Sequence, residues 1–112
     1  MLRGDGSYPS GPTSIGGGWA LILAELAPER AEAILARGKA FGESRIVCNV
    51  HWYSDVVAGR MVAAGAVATL HANPQFMAAM AAARAEIRAV REQGQTSPLD
   101  CEKEKKALAF RL

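Results

Sequence analysis

Ser44-Arg45, five residues, His51, three residues, Asp55 is the tightest gathering of chemically capable side chains in this 112-residue chain. If His51 opens a helix, Asp55 follows one turn later with Cβ atoms ~5–6 Å apart, so its carboxylate can accept the Nδ1 proton. That bond sets the tautomer and leaves a lone pair on Nε2. Such a ring can serve as nucleophile or general base, because the carboxylate also stabilises the charge that grows on it. Arg45 adds a planar fork of donors shaped for phosphate oxygens. A plainer reading is open for the same residues: His51 and Asp55 as ordinary helical neighbours, with Arg45 paired to Glu43 or to water.

A second stretch, Ser7-Tyr8-Pro9-Ser10-Gly11, lies just before a helix. It would set the Ser10 hydroxyl and the Gly11 N–H at a helix N-terminus, where unpaired amides and the macrodipole favour an anion. Pro-Ser-Gly is also what many a turn before a helix looks like. His71, ahead of Asn73-Pro74, reads as a capping or surface histidine.

The elements that must position these residues read as helices throughout. Residues 1–18 are rich in Gly, Ser and Pro and carry Gly16-Gly17-Gly18, which costs ~1 kcal/mol per glycine in a helix, so this stretch reads as loop, with a helical segment from about Thr13 or Trp19 to Leu26. Pro28 suits a first helical turn. Between Glu29 and Glu43, Ala31, Ile34, Leu35, Gly38 and Phe41 recur at three- and four-residue intervals, which predicts an amphipathic helix. Ile46 to Val50 is short and apolar and reads as a connector. Trp52 to Leu70 is the expected central helix, with Gly59, Ala63, Gly65 and Ala66 small enough to admit a neighbour. Asn73-Pro74 opens a helix from Gln75 to Gln93, stopped by Gly94. A charged tail, 96–112, holds a short helix over Glu102 to Phe110. Trp19, Trp52 and Phe41 read as core, and Met77 and Met80 as gap fillers. The fold class is all-α, a helical bundle of four to five helices in a single domain over 1–112.

Composition narrows the remaining classes. Half of the residues are hydrophobic and 21% charged, enough to bury a core. The net charge of +2 is far from the basic excess of nucleic-acid binders; the extra cations sit on Arg84, Arg88, Arg91 and the tail, and read as a solvated face. No nucleic-acid partner is expected. The run from Met61 to Leu70 falls short of the ~20 apolar residues that cross a bilayer, so no membrane partner is expected either. Met1 to Gly6 has no export-signal pattern, which by itself implies a cytoplasmic chain. Cys48 and Cys101, 53 positions apart and without metal-ligand spacing, leave a disulfide and a buried free thiol equally open and make a metal site unexpected.

Taken together, Ser7-Tyr8-Pro9-Ser10-Gly11-x-Thr13 and Ser44-Arg45-(five)-His51-Trp52-x-Ser54-Asp55 resemble the class A bacterial non-specific acid phosphatases. These form part of the superfamily that also holds membrane phosphatidate phosphatases and vanadium-dependent haloperoxidases. Leu23-Ala24-Glu25, Ala68-Thr69-Leu70-His71-x-Asn73-Pro74 and the Cys101 tail extend the likeness along nearly the whole chain. The resemblance implies an all-α, periplasmic, often oligomeric phosphomonoesterase that works without metal or other cofactor. It assigns His51 as the nucleophile that becomes phosphohistidine, Asp55 as its orienter, and Arg45, Ser10 and the Gly11 amide as phosphate holders.

The chain departs from that pattern where the family has Pro-Ser-Gly-His, for Pro12 stands in place of the general-acid histidine. It also lacks the family's upstream Lys and Arg, and is close to a C-terminal half of the family's domain. The expectation is an impaired hydrolase acting on a phosphomonoester. The other reading is a non-catalytic remnant that binds inorganic phosphate or another oxyanion, or only assembles. Apolar faces left bare would drive homo-oligomerisation.

Overall fold

Helices dominate the described residues of the computed structural model, which are residues 6–109. Met1 to Asp5, within which the reading of the export signal largely falls, and Phe110 lie outside the described residues. Helix α1 spans Gly11–Leu26, a 3-10 turn Pro28–Arg30, α2 Ala31–Val47, α3 Tyr53–Leu70, α4 Pro74–Glu92 and α5 Cys101–Leu108. No strand occurs among the described residues, in agreement with the all-α class.

The expected loop over 1–18 ends at Ser10, for α1 begins at Gly11 and runs straight through the glycine triplet. The reason is tertiary. A Cβ on Gly16 would stand 2.6 Å from the Phe41 ring of α2, and one on Gly17 would stand 3.3 Å from the Ala63 Cβ of α3. From the other side, a Cβ on Gly38 of α2 would meet the Ala20 Cβ at 2.5 Å. Close approach of three backbones outweighs the ~1 kcal/mol that each glycine costs a helix. The central helix is therefore α1, which packs along both α2 and α3, and not α3 as the sequence suggested. On α3, Gly59 and Ala63 are buried in these crossings, whereas Gly65 and Ala66 are exposed.

Capping sets most of the ends. Ser10 caps α1 by accepting the Thr13 N–H, Asn73 caps α4 by accepting the Phe76 N–H at 3.0 Å, and Asp100 caps α5 by accepting the Lys103 N–H at 2.9 Å. Gly94 follows α4 at φ 67°, the left-handed stop expected there. Helix α2 continues four residues past Glu43, so that Ile46 and Val47 belong to it and not to a connector.

The core is small: Ala20, Val56, Ala63 and Met80 are its buried apolar members. Trp19 and Trp52, expected inside, are 68% and 75% exposed, Met77 is exposed, and Phe41 is half-buried. Trp19 belongs to an outward stripe with Ile15 and Leu23, four residues apart along α1. The radius of gyration, 15.8 Å, exceeds the about 13 Å of a close-packed domain of this length, as expected of helices with bare apolar faces. Cys48 and Cys101 are free and exposed; Cys48 is thus not a buried thiol, because it caps the end of α2 on the outside of the turn.

Candidate active site

The turn that ends α2 explains the Arg45-to-His51 spacing. Asn49 takes φ 59°, its N–H bonds the Ile46 carbonyl at 2.9 Å, and the Val50 N–H bonds the Arg45 carbonyl at 3.1 Å. This is a Schellman stop with asparagine in the left-handed position. The Arg45 carbonyl also accepts the His51 N–H at 3.2 Å, so the five intervening residues are the length of that turn. The chain is thereby thrown back across the start of α3.

His51 precedes the N-cap, Trp52, and does not open α3 itself. Its partner is correspondingly different from the one expected. The Asp55 carboxylate stands 4.0 Å from Nδ1, beyond hydrogen-bond reach, and instead accepts the Trp52 N–H at 2.7 Å. That is one half of a capping box; the indole has no oxygen with which to return the other half. The Ser7 carbonyl, 3.2 Å from His51 Nδ1, is what the ring nitrogen meets. A carbonyl can only accept, so Nδ1 carries the proton and Nε2 keeps its lone pair in the neutral ring. Asp55 acts on the ring through space: both side chains are about 95% buried, which strengthens the attraction between carboxylate and imidazolium.

The Ser7–Ser10 loop is pinned to the same place. The Ser10 N–H donates to the Asp55 carbonyl at 3.0 Å, and Gly59, one turn along α3, has no Cβ to obstruct the Ser10 carbonyl. Ser10 itself is fully buried, and its hydroxyl donates to Thr13 Oγ1 at 2.9 Å while accepting the Thr13 N–H at 3.2 Å. Gly11 is exposed at the first position of α1, where its N–H has no acceptor within the helix, and Pro12 has no N–H to offer.

Arg45 is joined to His51 through the backbone alone. Its guanidinium is turned along α2, with Nε donating to Ser44 Oγ at 3.2 Å and Cζ 5.6 Å from the centre of the Phe41 ring. Ser7, Ser10, His51 and Asp55 are thus brought together, Gly11 stands at the neighbouring helix start, and the Arg45 side chain points elsewhere. Two hollows flank the helices, one of about 360 Å³ beside Arg84, Arg88 and Arg91, the other of about 270 Å³ between α1, α2 and α3, with Thr13, the partner of Ser10, in its wall. Sequence reasoning missed the Ser7 carbonyl, which no side-chain pattern could reveal. It also missed Asn49, which an asparagine just past an apolar helix end does signal.

His71 forms a separate cluster at the end of α3. Its Nδ1 faces the Val67 carbonyl and its Nε2 the Glu25 carboxylate, each at 2.7 Å, and Glu25 also accepts from Arg84 at 3.2 Å. The Val67 carbonyl first, and Glu25 next, raise its pKa above the ordinary histidine value. The capping and surface role read from sequence is where the structure puts it.

Comparison with known proteins matches residues 2–79 to the PAP2 superfamily. The chain belongs to that superfamily. It is 52% identical over 86 residues to a non-specific acid phosphatase of Providencia stuartii, an alignment covering 77% of this chain and 35% of that protein. It is also 52% identical over 95 residues to an acid phosphatase of Zymomonas mobilis, covering 85% of this chain and 36% of the relative. A non-specific acid phosphatase of Salmonella typhimurium is 49% identical over 86 residues. The chain spans about a third of the length of these relatives. Among the described residues of this PAP2 chain no helix is long and apolar enough to cross a membrane, and no three metal-binding side chains gather.

Proposed function

We propose that this chain carries the nucleophile and part of the phosphate cradle of an acid phosphatase-type phosphomonoester hydrolase. The observation that carries the reading is the Ser7 carbonyl on His51 Nδ1, which keeps the Nε2 lone pair free to attack phosphorus. In the first step the Nε2–P bond forms as the ester P–O bond breaks, and the departing alcohol oxygen takes a proton from water. In the second, water attacks phosphorus, and inorganic phosphate leaves as the His51 ring is restored. Asp55, 4.0 Å away, favours the positive ring of the intermediate. The Gly11 N–H at the start of α1 supplies one phosphate contact, and Arg45 supplies another once its guanidinium swings off Phe41. Ser10 contributes through its hydroxyl if that proton turns from Thr13 to a phosphate oxygen. The outward stripe of Ile15, Trp19 and Leu23 supports a homo-oligomer in which a second copy covers it, testable by sedimentation at micromolar concentration.

Pro12 supplies no proton to the leaving oxygen, which is worth ~10²–10⁴-fold where a general acid is needed. Turnover is therefore expected on aryl phosphates and scarcely on alkyl ones. The test is release of inorganic phosphate from an aryl phosphate by the wild type and by His51→Ala; equal rates in the two refute the assignment. A second reading, oxyanion binding without turnover, is favoured by the Arg45 guanidinium lying over Phe41 and by the His51 side chain being only 5% exposed. Vanadate or phosphate binding that depends on His51, without phosphate release from any ester, would select it.

A further inference from the structure

Arg60, on the face of α3 that meets α1 and α2, has an incomplete environment. Its Nε and Nη2 are shut off from solvent and have no hydrogen-bond partner among the described residues. These two atoms form one edge of the guanidinium, the edge that a carboxylate meets with two parallel hydrogen bonds. The residue also lines the hollow of about 270 Å³, whose walls are mainly apolar or small, Ala20, Leu21, Leu35 and Gly38 among them, with Thr13 as a polar member and Lys39 as a second cation. A buried polar edge with nothing to bond is an exception that calls for a partner. The cations name its charge, and the apolar walls name the character of the groups beside it.

We propose that this hollow is a docking socket for an acidic polypeptide segment. One Asp or Glu carboxylate meets the Nε/Nη2 edge of Arg60 while its apolar neighbours pack against Ala20, Leu21 and Leu35. Polypeptide is favoured over a small free anion for two reasons. The relatives carry about twice as much chain again beyond the stretch they share with this one, and Leu35 at the rim is 41% exposed, which extends the apolar wall beyond the hollow itself. Lys39 is held only loosely by Glu43, at 3.8 Å, and is free to add to the attraction. The occluded edge is reached by rotation of the flexible arginine side chain. The proposal does not rest on the His51 chemistry, although Thr13, which bonds Ser10, stands in the wall of the hollow.

The probe is a blocked pentapeptide with one glutamate between two leucines, compared with its glutamine counterpart and with octanoate. Binding is followed on the intact chain by the Arg60 Nε–H resonance in ¹H–¹⁵N spectra. The glutamate peptide is expected to shift that resonance and to bind at least tenfold more tightly than the glutamine peptide, with the advantage lost in Arg60→Met. Arg60→Met should melt no lower than the wild type, since the free chain gives Arg60 no partner to lose. Equal binding of the two peptides, or no binding of either, overturns the proposal. Octanoate binding more tightly than the glutamate peptide through Arg60 would make the site one for a free amphiphile and overturn it as well. A large loss of stability in Arg60→Met would show the guanidinium already satisfied within the chain, with the same consequence.

Discussion

A single methyl group at position 59 tests the link between packing and site. In Gly59→Ala the new Cβ would stand 2.7 Å from the Ser10 carbonyl oxygen and 3.0 Å from the Thr13 Cβ. Helix propensity alone favours the change by ~1 kcal/mol. Overpacking opposes it by ~1–3 kcal/mol, and the upper part of that range applies, because the nearest obstacle is backbone and not the end of a flexible side chain. That backbone is held from its other side by the Ser10 N–H bond to the Asp55 carbonyl, so it cannot withdraw without loosening the start of α3. The net expectation is a loss of about 1–2 kcal/mol, which in a domain of this size lowers the melting midpoint by roughly 4–8 °C per kcal/mol. Gly65→Ala, on the same helix, meets nothing within 4 Å and should raise the midpoint by the propensity gain, up to ~1 kcal/mol. Differential scanning calorimetry of the two variants beside the wild type measures both. A Gly59→Ala protein that melts at or above the wild type, or two variants shifting together, would refute the claim that Gly59 is there to admit the Ser10 loop.

Three further outcomes are expected. The Val67 carbonyl and Glu25 raise the His71 pKa, so the stability the charged ring adds is fully present below the ordinary histidine value of 6.5 and is lost as pH rises through its higher folded-state value. The melting midpoint of the wild type should therefore fall across that interval more steeply than that of His71→Gln, and parallel curves would count against the pairing. Asn49→Gly should leave stability unchanged or slightly raised, whereas Asn49→Val, forced into a left-handed backbone, should lose about 1–2 kcal/mol in denaturant titration and lower any phosphate release with it. Pro12→His should raise turnover on alkyl phosphates by ~10²-fold or more and alter aryl phosphates far less, read as the ratio of the two kcat/KM values.

The helix starts were legible because their signals are local. Ser10 and Asn73 each cap with their own side chain, and Gly94 stops α4, all within a few residues of the bonds they make; Asp100, which caps α5 in the same way, was not read from the sequence. The apolar period of α2 was legible for the same reason. What misled was Gly16-Gly17-Gly18, which by propensity is a loop and in the fold is a helix, since propensity cannot register that Phe41 and Ala63 lie against those bare positions. The tryptophans misled in the opposite sense: their size argues for burial, but α1 turns Trp19 outward with Ile15 and Leu23. At the candidate site, type and spacing singled out His51, Asp55 and Ser10, and the fold brings them together, but the Asp55 carboxylate bonds the Trp52 N–H and not the expected His51 Nδ1.

From the chain alone came the all-α class, the helix boundaries near their caps, the kinship and the set of residues with chemistry to offer, because each depends on neighbours a few positions apart. Only the tertiary structure decided that α1 lies at the centre, that the Ser7 carbonyl and not Asp55 holds His51 Nδ1, that Arg45 faces Phe41, and that Arg60 is left without a partner. Except for the Arg45–Phe41 contact, which lies within α2, those facts depend on parts far apart in sequence meeting or failing to meet, and that is settled by how whole helices cross, which no short run of residues encodes.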